Sequence, residues 1–538
     1  MIPNTAKERV LVALLISLMG VFYFATLREG YIWGDDFALY ILHARNIAQG
    51  MPYAETGYIY DPQSYAIGPV TYPPVFPLLL APVYKSFGLN LNAMKYEMIL
   101  ISLACLGVFA VALRDSLPLP YRLSMLVLIG MNPVMWRYKD RIVSDMPALL
   151  FTYLALASVD RFWEAPKEGR AQYGRAILAG LLIYLAYGTR SVSALLIPSL
   201  FLYEALRFRR ISRFTLIATL TFGCAMAMQN AFLHSDTMYA ALIAPHRATG
   251  HEEVSFFSYA VHTWVKPVPQ HILLAAKNLS RFLDNRYNQV FRAGLLALVS
   301  ALAGFGFLIR IKKRITIYEL FLVLYLIAIL VLPIEAESRY LVPVFPLCVF
   351  YCMIGLEKTD QSSRWGRGKY GLALIVSLMC ISYLGNYTKT DFGPIRESIG
   401  KAETLQLFEF IKHNTSEGDV IIFRRPRMMA LFANRRSSAY HLPRSDAELW
   451  GYFRGIQAAY VVAGPPGLDE AFWRPFLERY KSNLRVVFSN SDFAVFKILA
   501  WPSESGNSPA LSPQQPIGHK DFRLKERRAN LSAIGCMF

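Results

Sequence analysis

Residues Tyr31–Gly50 read YIWGDDFALYILHARNIAQG, and the interpretation of the whole chain turns on them. Two adjacent carboxylates, Asp35 and Asp36, stand shortly beyond the first long apolar run. Behind them, Phe37, Tyr40, Ile41, Ala44, Ile47 and Ala48 share one helical face, while His43, Arg45, Asn46 and Gln49 share the other. Gly50 is a natural stop for such a helix. The pattern predicts an amphipathic helix lying along a membrane surface and opened by an acidic pair. Asp36 at that position can cap the helix by accepting from orphan backbone N–H groups, and capping is compatible with chemistry.

The chain has 538 residues, of which 54% are hydrophobic and only 17% charged, which excludes a string of soluble domains and predicts a polytopic α-helical membrane protein. The net charge of +18 comes from short basic clusters between apolar runs, so it reads as membrane topology and not as a nucleic-acid surface. Five of the six cysteines (Cys105, Cys224, Cys348, Cys352, Cys380) lie within apolar runs, and no paired-cysteine metal spacing occurs. The first run, Val10 to Ala25, lacks a small-residue cleavage signature and is expected to be retained as a span.

Apolar runs at 10–26, 94–113, 121–136, 145–160, 176–189, 191–206, 214–233, 292–309, 316–333, 340–356 and 370–386 give about eleven expected spans. The run at 73–87 carries Pro73, Pro74, Pro77 and Pro82 and is read as re-entrant or surface-lying. Lys and Arg cluster in the connections at 161–175, 207–213, 310–314 and 358–369, which must then share the cytoplasmic side with the N-terminus. The outer face receives the loops 28–93, 137–144 and 234–290 and everything beyond about 387. Residues 1–386 are expected to form the membrane module and 387–500 a small periplasmic α/β domain. The latter has strands at Val420–Phe423 and Tyr460–Ala463 and a closing hairpin at Val486–Phe488 and Ala494–Ile498. Residues 501–538, rich in Ser, Pro and basic side chains, are expected to be a disordered tail.

Ionisable groups at span boundaries are costly and count as functional candidates. On the expected outer face these are Asp35 and Asp36, then Arg137, Lys139, Asp140, Arg141 and Asp145, then Arg190, and then Glu335, Glu337 and Arg339. Each has a plainer reading. Asp145 before Met146–Pro147 suits a helix start, Arg339 can snorkel to headgroups, and Arg190 reads as structural. External arginines ask for an anionic partner, and a lipid phosphate bound bidentately supplies one. A carboxylate beside that phosphate suggests group transfer, with the base deprotonating an acceptor hydroxyl while lipid phosphate leaves. Repulsion between neighbouring carboxylates raises the pKa of one of them, but which one is not readable here.

These residues resemble the GT-C superfamily of integral-membrane glycosyltransferases, in the branch of the bacterial protein O-mannosyltransferases and the aminoarabinose transferases. The likeness rests on Asp35–Asp36 after the first span, the Pro-rich YPPVFPLLL at 72–80, Asp145 in SDMP, RYLVPVFP at 339–346 and the terminal α/β domain. The resemblance implies that the catalytic base falls on Asp35, with Asp36 in the partner position. It also implies that Asp145 is the second acidic position, which in some members holds a divalent metal. Arg339 then lies near the donor phosphate, with Arg141 and Arg137 as further phosphate-binding candidates. Tyr340, Glu337, Tyr72 and Lys266 are candidate donor or acceptor contacts, and His262 joins Asp145 as a weak metal candidate. Thr71–Tyr72 replaces the Glu–Lys pair of the aminoarabinose branch, so that branch's donor and metal site do not carry over.

The reading is an inverting glycosyltransferase of a bacterial inner membrane, active at the periplasmic face. Its expected partners are a polyprenyl-phosphate-linked monosaccharide, an envelope glycan, glycolipid or protein acceptor, and the bilayer, with no nucleic acid. No cofactor is required by this reading, and a divalent metal is left open. The alternatives are a lipid or glycan flippase, disfavoured by the lack of repeated halves, and an O-antigen ligase or polymerase, which would depend on His and Arg of 234–290.

Overall fold

The computed structural model describes residues 6–63, 68–162, 171–233, 264–283, 289–331, 338–362, 368–395, 399–441, 445–464 and 470–502. The expectation for 501–538 therefore falls almost wholly outside the described residues, as do those for Glu335, Glu337 and His262. By its contacts the chain forms two units: residues 1–28 with 73–392, and residues 29–72 with 393–538. The acidic stretch, expected as an outer loop of the membrane module, instead clusters with the C-terminal α/β region.

The first unit is helical. Six helices among the described residues are long and apolar enough to cross a bilayer: Ala6–Ala25, Leu91–Ala112, Ser191–Phe208, Arg213–Leu233, Gln289–Lys313 and Tyr370–Tyr387. A seventh arises if Pro133–Asp140 and Asp145–Phe162, bent by 113°, count as one. Two of the eleven expected crossings are shorter than their apolar runs: Leu119–Gly130 has 12 residues and Ile317–Val331 has 15, against the roughly 20 needed to span. The first stops early because Asn132 accepts from the Val134 and Met135 N–H groups and starts a new helix at Pro133. The Asn132 amide nitrogen also donates to the Phe282 carbonyl at 2.7 Å. The Pro-rich run forms the 13-residue helix Val75–Phe87, likewise too short to cross.

Contacts at one end of this unit join the basic connections. Arg122 pairs with Glu8 at 2.9 Å, Arg310 donates to Ser116, Arg161 donates to the Val111 carbonyl, and Tyr121 bonds Asp360. These segments therefore share an end of the helix bundle. Backbones approach closely where Gly306 meets Gly355. A Cβ on Gly306 would lie 2.0 Å from the Tyr351 carbonyl oxygen, and one on Gly355 2.2 Å from that of Leu302, which is small-residue helix packing.

The second unit is built on a six-stranded sheet: β1 (Tyr58–Ile59), β2 (Val420–Ile422), β3 (Arg436–Ser438), β4 (Ala458–Ala463), β5 (Leu484–Ser489) and β6 (Ala494–Ile498). The order is β1-β3-β2-β4-β6-β5. Strands β1 to β4 pair in parallel, and β6 and β5 add an antiparallel hairpin. The central strand β2 is apolar on both faces, as buried parallel strands are: Val420, Ile421 and Ile422 are all buried, whereas β3 is Arg436-Ser437-Ser438 with only its two serines buried. One side of the sheet packs Trp450, Phe453, Trp473 and Phe476 into an aromatic core. Strand β1 comes from the acidic stretch, with Tyr58 registered on Ser437. This places the N-terminal segment within the sheet itself.

Candidate active site

The helix after the acidic pair runs Asp36–Gln49 and ends at Gly50, whose φ of 68° only glycine adopts freely. The expectation of an amphipathic helix with one polar face is corrected. It is buried nearly all round, including His43 and Asn46, which had been placed on its polar face. The reason is that the backbone carbonyls of Pro52, Tyr53 and Glu55 meet its inward polar side chains. Asn46 donates to the Pro52 and Glu55 carbonyls at 2.9 and 3.0 Å. The His43 Nδ1 lies 2.9 Å from the Tyr53 carbonyl oxygen, and its Nε2 accepts from the Tyr72 N–H at 3.3 Å. One nitrogen must therefore donate and the other accept, which defines the neutral Nδ1–H tautomer. Burial, opposed by the Tyr53 carbonyl, pushes the His43 imidazole down to about 3, so it stays neutral.

Both carboxylates stand at the N-terminus of this helix, where its dipole favours negative charge. Asp35 occupies the cap position but makes no side-chain capping bond. Its Oδ1 accepts from the Met428 N–H at 3.3 Å, and its Oδ2 lies 3.6 Å from Arg427 Nε. Asp36 Oδ1 accepts from Tyr72 Oη at 2.7 Å and lies 3.5 Å from Arg427 Nη1. The two differ in access: the Asp36 side chain is 34% exposed and that of Asp35 5%. Burial drives the Asp35 carboxyl up to about 6, opposed by Arg427 and Arg425 and reinforced by Asp36.

Arg427 is the centre of this cluster, and the sequence analysis did not single it out. It is fully buried and donates to Tyr72 Oη at 3.0 Å and to the Pro69 carbonyl at 2.9 Å. Its guanidinium carbon lies 4.8 and 5.2 Å from the ring centres of Tyr58 and Tyr72. Gly68 makes room for it, since a Cβ there would stand 2.8 Å from Arg427 Nη2, and its φ of 100° is a glycine conformation. A signal was present: Arg424-Arg425-Pro426-Arg427 follows strand β2 directly, at the carboxyl end of a parallel strand where α/β sheets place ligand chemistry. A second buried pair went unnoticed in the same unit. Asp61 and His441 follow β1 and β3, and His441 Nδ1 lies 2.8 Å from Asp61 Oδ2.

The first unit holds a separate cluster. Asp145 opens the helix Asp145–Phe162 and is 1% exposed. Its carboxylate is bonded by Arg190 and lies 3.5 Å from Arg339 Nη2. Arg339 therefore does more than snorkel and Arg190 more than brace a turn, for both are gathered on one carboxylate. Asp145 stands at a helix start, as its place before Met146–Pro147 predicts, and guanidinium groups engage its carboxylate. No group of three or more metal-type side chains occurs among the described residues. Tyr340 lies beneath Arg190, 5.5 Å from ring centre to guanidinium. Arg141 stacks on Tyr138 at 5.7 Å, and Arg137 donates to Asn386 at 3.3 Å. Lys266 is exposed.

No family model matches the sequence, and no curated protein sequence matches it. Solved structures do resemble it. ArnT from Cupriavidus metallidurans, bound to undecaprenyl phosphate, is similar with a TM-score of 0.57 at 12% identity, over 93% of this chain and all of that one. The Archaeoglobus fulgidus oligosaccharyltransferase, in complex with Zn and sulfate, is similar with a TM-score of 0.57 at 12% identity, over 86% of this chain and 69% of that one. The oligosaccharyltransferase AglB of the same organism, with an inhibitory peptide and a dolichol-phosphate, reaches 0.56 at 10% identity over 88% and 71%. At such identities the likeness speaks for the fold, and ArnT and AglB are GT-C glycosyltransferases. The protein is a multi-pass membrane protein with the GT-C fold.

Proposed function

We propose that this protein is an inverting glycosyltransferase that moves a monosaccharide from a polyprenyl-phosphate donor to an envelope acceptor. It works at the periplasmic face of a bacterial inner membrane. The observation that carries the reading is the acidic pair itself: two carboxylates share one buried guanidinium, and only Asp36 keeps a substantial part of its side chain open. A base must reach the proton it removes. This favours Asp36 over Asp35 as the base and makes Asp35 the buried counter-charge of Arg427.

In the proposed reaction the Asp36 carboxylate takes the proton of an acceptor hydroxyl. The acceptor oxygen bonds the anomeric carbon from the face opposite the phosphate, and the bond from that carbon to the phosphate oxygen breaks. Polyprenyl phosphate leaves carrying the electron pair. Guanidinium groups stabilise a leaving phosphate through charge-assisted, bidentate hydrogen bonds. Arg339 and Arg190, two cations on one carboxylate, are the proposed donor-phosphate ligands. The fold shared with ArnT, whose structure holds undecaprenyl phosphate, supports this donor class.

The test uses the purified protein in lipid nanodiscs, offered a panel of radiolabelled polyprenyl-phosphate sugars. Release of free polyprenyl phosphate by wild type and not by Asp36→Asn is the expected result. Absence of release with every donor, together with saturable movement of the lipid, would overturn the reading in favour of a flippase.

A further inference from the structure

Asp36 is held by two groups that sequence spacing could not bring together. Tyr72 Oη donates to Asp36 Oδ1 at 2.7 Å and itself accepts from Arg427 Nη1 at 3.0 Å. Both members are immobilised. The Tyr72 ring stacks on Tyr40 with centroids 4.4 Å apart. Its backbone N–H donates to His43 Nε2 and its carbonyl accepts from Tyr53 Oη at 2.7 Å. Arg427 is anchored by the Pro69 carbonyl and by Asp35. A hydroxyl that accepts from a cation becomes a stronger donor, so the chain is polarised toward the carboxylate.

We propose that Arg427 and Tyr72 form a relay that orients Asp36 and holds it ionised, which makes them positioning residues for the proposed base. This rests on the reading above. The relay spans 391 positions of sequence, since Arg427 belongs to the α/β domain. The charged and titratable groups facing Asp36 include Tyr72, Arg427 and Asp35, with Tyr40 behind Tyr72. Burial, joined by the Asp36 charge and opposed by Arg427, lifts the Tyr72 phenol well above its ordinary value, so it keeps its proton and acts as donor.

The test compares wild type, Tyr72→Phe and Arg427→Lys across pH 5 to 9. Tyr72→Phe preserves the stacked ring and removes only the hydroxyl. It is expected to lower kcat about ten- to a hundredfold at unchanged donor KM, and to move the acid limb of the kcat profile upward by about one to two pH units, the effect of losing one hydrogen bond to an ionised group. Arg427→Lys keeps the charge, so it should retain part of kcat while moving the same limb. A second readout does not need turnover. Carbodiimide-driven coupling of an amine consumes the protonated carboxyl, and its pH midpoint at Asp36, read by peptide mass, should move upward in Tyr72→Phe. Profiles and labelling midpoints that superimpose on wild type would overturn the relay. If wild type transfers from no donor, the glycosyltransferase reading falls, and the labelling midpoint still decides whether Tyr72 holds Asp36 ionised.

Discussion

The two charged clusters use the same side-chain types in opposite proportion. Around Asp145, two arginines meet one carboxylate that is 1% exposed. Around Arg427, two carboxylates share one guanidinium that is fully buried, and one acid, Asp36, is partly open. Paired guanidinium groups suit the holding of an anion, and a partly open carboxylate suits the taking of a proton. The comparison also separates a paired carboxylate from a usable one. Asp145 and Asp35 are consumed by their partners and their burial, whereas Asp36 is oriented without being enclosed.

The contrast is sharpest at Asp36. Asp36→Asn is expected to cut transfer by about 10²–10⁴-fold, the usual contribution of a general base, in an assay that follows release of radiolabelled lipid phosphate. A full-rate Asp36→Asn with an inactive Asp35→Asn would reverse the roles given to the pair.

Next in size is the pH dependence of Asp35. Burial raises its carboxyl from an ordinary 3.8 to about 6, so the folded state binds its proton more tightly than the unfolded chain does. Its favourable contribution is complete below about pH 4 and is lost as pH rises through about 6. Relative to Asp35→Asn, wild type should therefore lose on the order of 3 kcal/mol between pH 4 and pH 7, visible as a falling difference in Tm. A difference that grows with pH would mean that Arg427 outweighs burial.

The smallest effect is expected in the cationic cluster. Arg339→Gln leaves Arg190 on Asp145 and should weaken binding of polyprenyl phosphate about ten- to a hundredfold, with kcat less affected. Measured by displacement of a labelled lipid phosphate, an unchanged affinity would remove Arg339 from the anion site.

Much of the scaffold could be read beforehand. The apolar runs located the long helices, since composition over about 20 residues is a local property. In the α/β domain, strands β2, β4, β5 and β6 fell within or close to the apolar stretches that announced them, because runs of β-branched and aromatic residues between turn signals carry their own pattern. Gly50 ended its helix as expected. The short strands were not legible: β1 has two residues and β3 three, too few for any period to register.

What the sequence by itself determined is a membrane protein with a small α/β domain and an acidic pair set apart from its apolar runs. Length, hydropathy and local spacing suffice for that, because each acts over a few turns of chain. Only the tertiary structure decided which groups face that pair. Arg427 reaches Asp35 and Asp36 across nearly four hundred residues, and His43 and Asn46 turn inward because the carbonyls of Pro52, Tyr53 and Glu55 satisfy them. A buried charge or amide is stable only where a partner of matching geometry arrives, and that partner is delivered by the fold of strands and loops distant in sequence.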